Sequence, residues 1–108
     1  MNNEKIENSQ DRIPAKEEVL KIVGRFAENF TILSELSDEW GIYSLEAKAS
    51  GLENNESVIY DYSRKGRYAD GHQSGATVIY AVSYNGDIPT GGETVAEIDE
   101  KTGEWVFN

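Results

Sequence analysis

Residues 77–84, TVIYAVSY, decide the fold class, because β-branched and aromatic side chains fill almost the whole stretch. Such residues are typical of strands, so a strand is predicted here. The Asn-Gly-Asp sequence at 85–87 follows directly, and Asn-Gly is a favoured hairpin turn pair because both residues accept positive φ. The turn continues through Pro89 and the Gly pair at 91–92, and the next strand is predicted at 93–98. This stretch therefore predicts an antiparallel hairpin.

Further strands are predicted on both sides of this hairpin. Residues 40–49 alternate apolar and polar side chains, and residues 57–62, SVIYDY, are rich in β-branched and aromatic types. After a tight turn at 99–103, DEKTG, a short strand is predicted at 104–107. Residues 64–76, RKGRYADGHQSGA, contain three Gly and few apolar side chains, which predicts a long loop.

The N-terminal third of the chain predicts one amphipathic helix. Pro14 suits a first helical turn, and the acidic Glu17 and Glu18 suit the positive end of the helix dipole. Apolar residues then recur at spacings of three and four from Val19 to Phe30. Residues 1–13 have no such period and are predicted to be a disordered tail. The fold prediction is α+β, a single domain over residues 14–108 with the helix on one face of a four- to five-stranded antiparallel sheet.

Composition excludes several classes of function. The chain has 108 residues, no Cys and one His, so it offers no disulfide, no thiolate zinc site, no cysteine nucleophile and no pair of imidazoles. The net charge of −10 disfavours direct binding of nucleic acid, which needs a basic surface. The sequence contains neither a membrane-length apolar segment nor the apolar core of a secretory signal. We therefore expect a soluble, cytoplasmic protein.

The motifs do not indicate an enzyme. His72 lies near Asp70 and Ser74, but neighbours within one loop rarely have the geometry of a catalytic triad. The Asn-Gly-Asp turn lacks the spacing of a calcium loop. Twenty acidic residues make chance carboxylate pairs common, so such pairs are not evidence of acid–base catalysis. The sequence predicts no catalytic residue, no metal site and no cofactor.

The negative charge is concentrated in the predicted sheet. Residues 28–63 contain eight acids and one base, and residues 69–108 contain seven acids and one base, whereas three bases lie within 64–67. An acidic surface can serve solubility alone. It can also complement a basic partner and speed association through electrostatic steering. The acids that we predict as contacts lie around the first strand and its turns: Glu35, Asp38, Glu39, Glu53 and Glu56.

A basic loop with neighbouring tyrosines is the second candidate surface. Tyr and Arg are over-represented at binding hot spots, since both combine contact area with a polar group. The loop cations can instead pair with nearby acids, or Arg64, Arg67 and His72 can line a pocket for an anionic ligand. The residues that we add to the predicted contacts are Tyr60, Tyr62, Arg64, Arg67 and Tyr68.

Residues 78–106 resemble the closing hairpins of small bacterial domains. The strand from Val78 to Tyr84 is followed by Gly91-Gly92 and then by the sequence TVAEIDEKTGEWV at 94–106. This pattern is similar to that of PepSY-type domains and of small cystatin-like immunity domains, which neutralise toxins. The resemblance implies an N-terminal helix ahead of the sheet, and it implies no catalytic residues.

Together these observations predict a small acidic protein that binds and inhibits a basic protein partner, as an immunity protein or inhibitor, with nucleic-acid mimicry as one form of that mechanism. The alternative is a domain that binds a small molecule or peptide in a pocket at residues 64–76. An enzyme is the third reading.

Overall fold

The structure is a computed structural model that describes residues 13–50, 55–64, 66–67, 73–74 and 76–108. One helix and eight strands are present in these ranges: α1 (Lys16–Val23), β1 (Thr31–Asp38), β2 (Gly41–Ala49), β3 (Glu56–Ser63), β4 (Gly66–Arg67), β5 (Gln73–Ser74), β6 (Val78–Asn85), β7 (Ile88–Ile98) and β8 (Trp105–Phe107).

Six of the strands form one antiparallel sheet in the order β1-β2-β3-β6-β7-β8. The spatial order of these six strands is the same as their order along the chain. β4 and β5 pair only with each other, as a two-stranded ribbon between β3 and β6. The fold is therefore mainly β, with six strands in place of the predicted four or five. The described part of residues 64–76, which were predicted as a long loop, contains this ribbon.

β1 was missed by sequence analysis, which placed the first strand at residue 40. Its sequence, TILSELSD, contains several polar residues, and all eight positions are exposed. An edge strand with no buried face lacks the alternation that marks a half-buried strand. β7 also begins earlier than predicted, at Ile88. Pro89 is tolerated there because β8 pairs only with Ala96–Ile98, which leaves the outer edge of early β7 without a partner strand among the described residues.

The helix is shorter than its apolar pattern predicts. α1 ends at Val23, and Gly24, a poor helix former, occupies the C-cap. The chain then continues in a tightened turn, in which the Arg25 and Phe26 N–H groups donate to carbonyls three residues back. Phe26 therefore still points toward the sheet, where its ring stacks on Tyr60 with centroids 5.9 Å apart. The apolar spacing persisted beyond the helix because the turn packs against the same core. No helix within the described ranges has the length and apolar character needed to span a membrane.

The core lies between α1 and one face of the sheet. Four residues with no exposed surface form a row across β2, β3, β6 and β7, each opposite the next in the register: Leu45, Tyr62, Ile79 and Ala96. The helix contributes Val19 and Val23, which are equally buried. The helix is also linked to the last strand, because Trp105 Nε1 donates a hydrogen bond of 2.8 Å to Glu18.

Candidate functional site

The second face of the sheet carries the candidate site, which we call the open face. The helix found among the described residues, α1, packs on the opposite face of the sheet. Strand register determines which side chains share the open face. Its central members, on β2, β3, β6 and β7, are Glu46, Lys48, Ile59, Asp61, Val78, Tyr80, Val82, Thr94 and Glu97.

Apolar side chains run along the middle of this face. Val78, Tyr80, Val82 and Tyr84 alternate on β6, and Ile59 lies beside Val82 on β3. Tyr80 is 41% exposed and the other four are partly exposed. The central strand thus presents a stripe of apolar and aromatic groups where a sheet facing only water usually carries polar ones. We call these five residues the β6 stripe.

The ring of Tyr80 lies across Gly92 on the neighbouring strand. A Cβ atom placed on Gly92 would come within 2.9 Å of the Tyr80 ring. A glycine opposite an aromatic ring is a recognised way to seat the ring flat on a sheet. The close approach holds Tyr80 against the open face, with its ring toward β7.

Two carboxylates meet beside the stripe. Glu46 and Asp61 are directly opposite each other on β2 and β3, and Asp61 is in turn opposite Tyr80 on β6. Ser34 Oγ donates to Glu46 Oε1 at 3.2 Å. Among the described residues the ion pairs involve Glu35 and Asp38, and neither Glu46 nor Asp61 forms an ion pair with a described cation. Burial, together with the charge of Glu46, raises the pKa of the Asp61 carboxyl above its ordinary value.

The pair makes folding less favourable at neutral pH, and this gives a first prediction. Because the pKa of Asp61 is higher in the folded than in the unfolded protein, its penalty is absent below the ordinary pKa of 3.8, grows between that pKa and the folded one, and is fully present above the folded pKa. We expect Asp61→Asn to raise the free energy of unfolding at neutral pH by about 0.2–1 kcal/mol, the usual range for cross-strand pairs. Urea unfolding at a series of pH values measures this.

The control for that experiment is Glu17→Gln, which removes a charge from an exposed helix position. It should leave the unfolding free energy within about 0.5 kcal/mol of wild type. If Asp61→Asn destabilises the protein at neutral pH, or if its gain persists unchanged at about pH 3, where carboxylates are protonated, the interpretation is wrong.

Two of the acids predicted as contacts are already paired within the chain. Glu35 lies 2.8 Å from the Lys16 ammonium. Asp38 accepts hydrogen bonds from both terminal nitrogens of the Arg64 guanidinium, and these hold its pKa below the ordinary value. The Arg64 guanidinium also lies 5.7 Å from the centroid of the Tyr43 ring. These ion pairs lower the effective negative charge around β1.

The other predicted contacts are spread over the molecule. Glu39 and Glu56 are exposed, near opposite ends of the β1–β3 region. The structure does not describe Glu53, Tyr68, His72 or the side chain of Arg67. The pocket at residues 64–76 therefore remains a prediction from the sequence.

Tyr60 and Tyr62 need a correction as contact residues. They are 7% and 0% exposed and belong to the core between the sheet and α1. Neither offers a surface to a partner. Even-numbered residues of β3 face the helix, whereas Asp61 and Ile59 face the open side. The sequence indicated that alternate residues of β3 face opposite sides of the sheet, but it did not indicate which of the two sides the helix would cover.

The β6 stripe was missed, although the sequence contained a signal for it. In residues 78–84 both alternating sets are largely apolar: Ile79 and Ala81 on one side, Val78, Tyr80 and Val82 on the other. A strand that is apolar on both sides has two faces to cover. A single predicted helix covers one face, and this mismatch marks the other as a candidate contact surface.

A shallow polar cleft lies at the opposite end of β3 from the predicted pocket. Its lining consists of one basic residue, two acidic residues and small polar residues. It therefore lacks the apolar lining that usually holds a small ligand. It is lined by Lys48, Ser50, Asn55, Glu56, Ser57, Gly86 and Asp87. Within the described ranges, no group of three potential metal ligands is found.

Comparisons with protein-family models, with curated proteins and with solved structures found no match to this chain. The similarity of residues 78–106 to PepSY-type and cystatin-like hairpins therefore remains a prediction from the sequence.

Proposed function

We propose that this protein binds a basic protein partner through the open face and acts by covering the partner's surface, as an immunity protein or inhibitor does. One observation carries the proposal. The β6 stripe lies directly beside the carboxylates of Glu46 and Asp61, which have no cation of their own among the described residues.

The β6 stripe supplies the apolar part of such an interface. Aromatic residues are enriched at the centres of protein interfaces, where they are surrounded by polar groups. Each Å² of apolar surface removed from water contributes roughly 25 cal/mol before the costs of association. Tyr80 is suited to this role, since it is 41% exposed and its ring lies close against Gly92.

The carboxylate pair supplies the preference for a basic partner. A Lys or Arg side chain placed between Glu46 and Asp61 would replace their repulsion with two attractions. The Tyr80 ring lies toward β7, away from Asp61, so it adds apolar contact area beside this cation position and does not contact the cation itself. The net charge of −10 adds long-range attraction and speeds encounter with a basic protein. A cytoplasmic partner is part of this proposal and is consistent with a chain that has no Cys.

The test is capture of partner proteins with two matched variants. The immobilised protein is incubated with lysate of its native host, and bound proteins are identified by mass spectrometry at about 50 mM and about 500 mM salt, where screening differs strongly. The double variant Glu46→Gln/Asp61→Asn is compared with Glu17→Gln/Glu28→Gln. Both lose two negative charges, but the second pair lies outside the open face.

We expect a basic protein that is bound by wild type and by the control, and whose affinity for Glu46→Gln/Asp61→Asn falls about tenfold or more. Binding should also weaken as salt rises. An equal loss of binding in both double variants would indicate a non-specific charge effect. Unchanged binding in Glu46→Gln/Asp61→Asn would exclude the open face as the binding surface. Either result overturns the proposal.

A further inference from the structure

We infer that β1 is a self-association surface, through which two copies of this chain pair edge to edge. β1 forms one edge of the sheet, with β2 on its inner side and no described strand on its outer side. It is eight residues long and contains neither Pro nor Lys, two of the residues with which natural proteins block exposed edges. This inference concerns a different surface from the open face and does not depend on the proposed function.

Three large apolar side chains of β1 are exposed along this edge. Ile32, Leu33 and Leu36 are 38%, 49% and 53% exposed. An edge strand offers unpaired backbone N–H and C=O groups, so that exposed apolar side chains along it favour addition of another strand. The edge therefore combines three exposed apolar side chains with backbone groups that no described strand pairs with on its outer side.

Charge determines which kind of strand fits. Both acids of β1 are already paired, Glu35 with Lys16 and Asp38 with Arg64. The edge is thus nearly neutral on a chain whose net charge is −10. A basic segment gains little there, whereas a second copy of β1 is equally neutral and equally apolar. A two-fold arrangement also uses the same surface on both copies and closes without further growth.

The geometry limits the contact to a short one. The β1–β2 register shifts twice, and the first shift places Leu33 in a bulge on β1. The second shift adds a residue to β2, so β1 itself is regular from Ser34 to Asp38. The other edge of the sheet is less suited, since β8 has three residues and early β7 contains Pro89. Pairing over about five residues falls at the low end of interface sizes and predicts a weak dimer.

Sedimentation velocity over a concentration series tests the inference. We expect a monomer–dimer equilibrium that shifts toward dimer as salt rises, because salt screens the repulsion between two acidic copies. Binding of a basic partner to the open face has the opposite salt dependence, so the two proposals can fail independently. Hydrogen exchange of the amides from Ser34 to Asp38 should slow as protein concentration increases.

The variant Leu36→Lys places a charge within the Ser34–Asp38 segment, at a position that is 53% exposed, and should weaken dimerisation about tenfold or more. Its matched control is Ile88→Lys, which makes the same change in charge at a 68% exposed position on β7. Both positions are exposed, and equal urea midpoints for the two variants check that both fold. We expect Ile88→Lys to dimerise as wild type does.

Three results would overturn the inference. The first is a wild-type chain that stays monomeric at every concentration and salt level, with hydrogen exchange of the β1 amides that does not depend on concentration. Slow exchange of these amides in a monomer would mean that another part of the same chain covers β1. The second is equal loss of association in Leu36→Lys and Ile88→Lys, which would indicate head-to-tail contacts between unlike edges. The third is dimerisation that Leu36→Lys leaves unchanged.

Discussion

Replacing Tyr62 with Ala is expected to lower the free energy of unfolding by about 3–5 kcal/mol, the range for removal of a buried aromatic side chain. Tyr62 has no exposed surface and lies between Leu45 and Ile79 in the central row of the core. Its removal leaves a cavity that rigid neighbouring strands cannot fill. Urea unfolding followed by circular dichroism measures the loss, which is a large part of the stability of a domain of this size.

Tyr80→Ala is the matched control, since it removes the same side chain from the opposite face of the next strand. Tyr80 is 41% exposed, so we expect a loss of about 1 kcal/mol or less. The same substitution should weaken binding of the basic partner, because it interrupts the β6 stripe. If the two variants are equally destabilised, the assignment of the two faces is wrong.

Trp105→Ala is expected to cost about 2–3 kcal/mol, somewhat less than a fully buried aromatic because Trp105 is only partly buried. The indole packs against the core and donates its N–H to Glu18 on α1. Loss of the side chain therefore loosens both the last strand and the helix. Thermal unfolding monitored by circular dichroism measures the effect.

Two further variants separate packing from hydrogen bonding at this position. Trp105→Phe keeps an aromatic ring but cannot donate to Glu18, and we expect a loss of about 1 kcal/mol from the hydrogen bond together with a smaller packing loss. Val106→Ala, at a neighbouring residue that is 42% exposed, should change stability by less than about 1 kcal/mol. A Trp105→Ala loss no larger than that of Val106→Ala would show that β8 does not anchor the helix.

Local chemistry made much of the fold predictable from the sequence. The turn at 99–103 is confirmed in detail: Asp99 Oδ1 accepts from the N–H groups of Lys101 and Thr102, and Gly103 has a φ of 75°. In the Asn-Gly turn Gly86 has a positive φ of 63°, whereas Asn85 does not. These turns depend on residues next to each other in the chain, and such interactions are visible in the sequence.

The candidate site was less predictable, because it depends on which side of the sheet the helix covers. Alternation groups Tyr60 with Tyr62 and separates them from Asp61, but it gives no sign of which group faces the core. The ion pairs were also hidden, since Asp38 and Arg64 are 26 residues apart and meet only when β1, β2 and β3 align. Sequence analysis could therefore propose charged and aromatic residues as contacts, but it could not show on which surface of the fold each one lies.

The order of strands in the sheet has a consequence for how the chain reaches this structure. Within the sheet every strand joins the one before it, so most contacts close small loops, and closing small loops costs little chain entropy. Topologies rich in such local pairings fold faster than those that join distant segments. The Trp105–Glu18 hydrogen bond is different, because it connects residues 87 positions apart. The sheet can therefore be built from local hairpins, whereas the bond between the helix and the last strand can form only when residues near the two ends of the domain have come together.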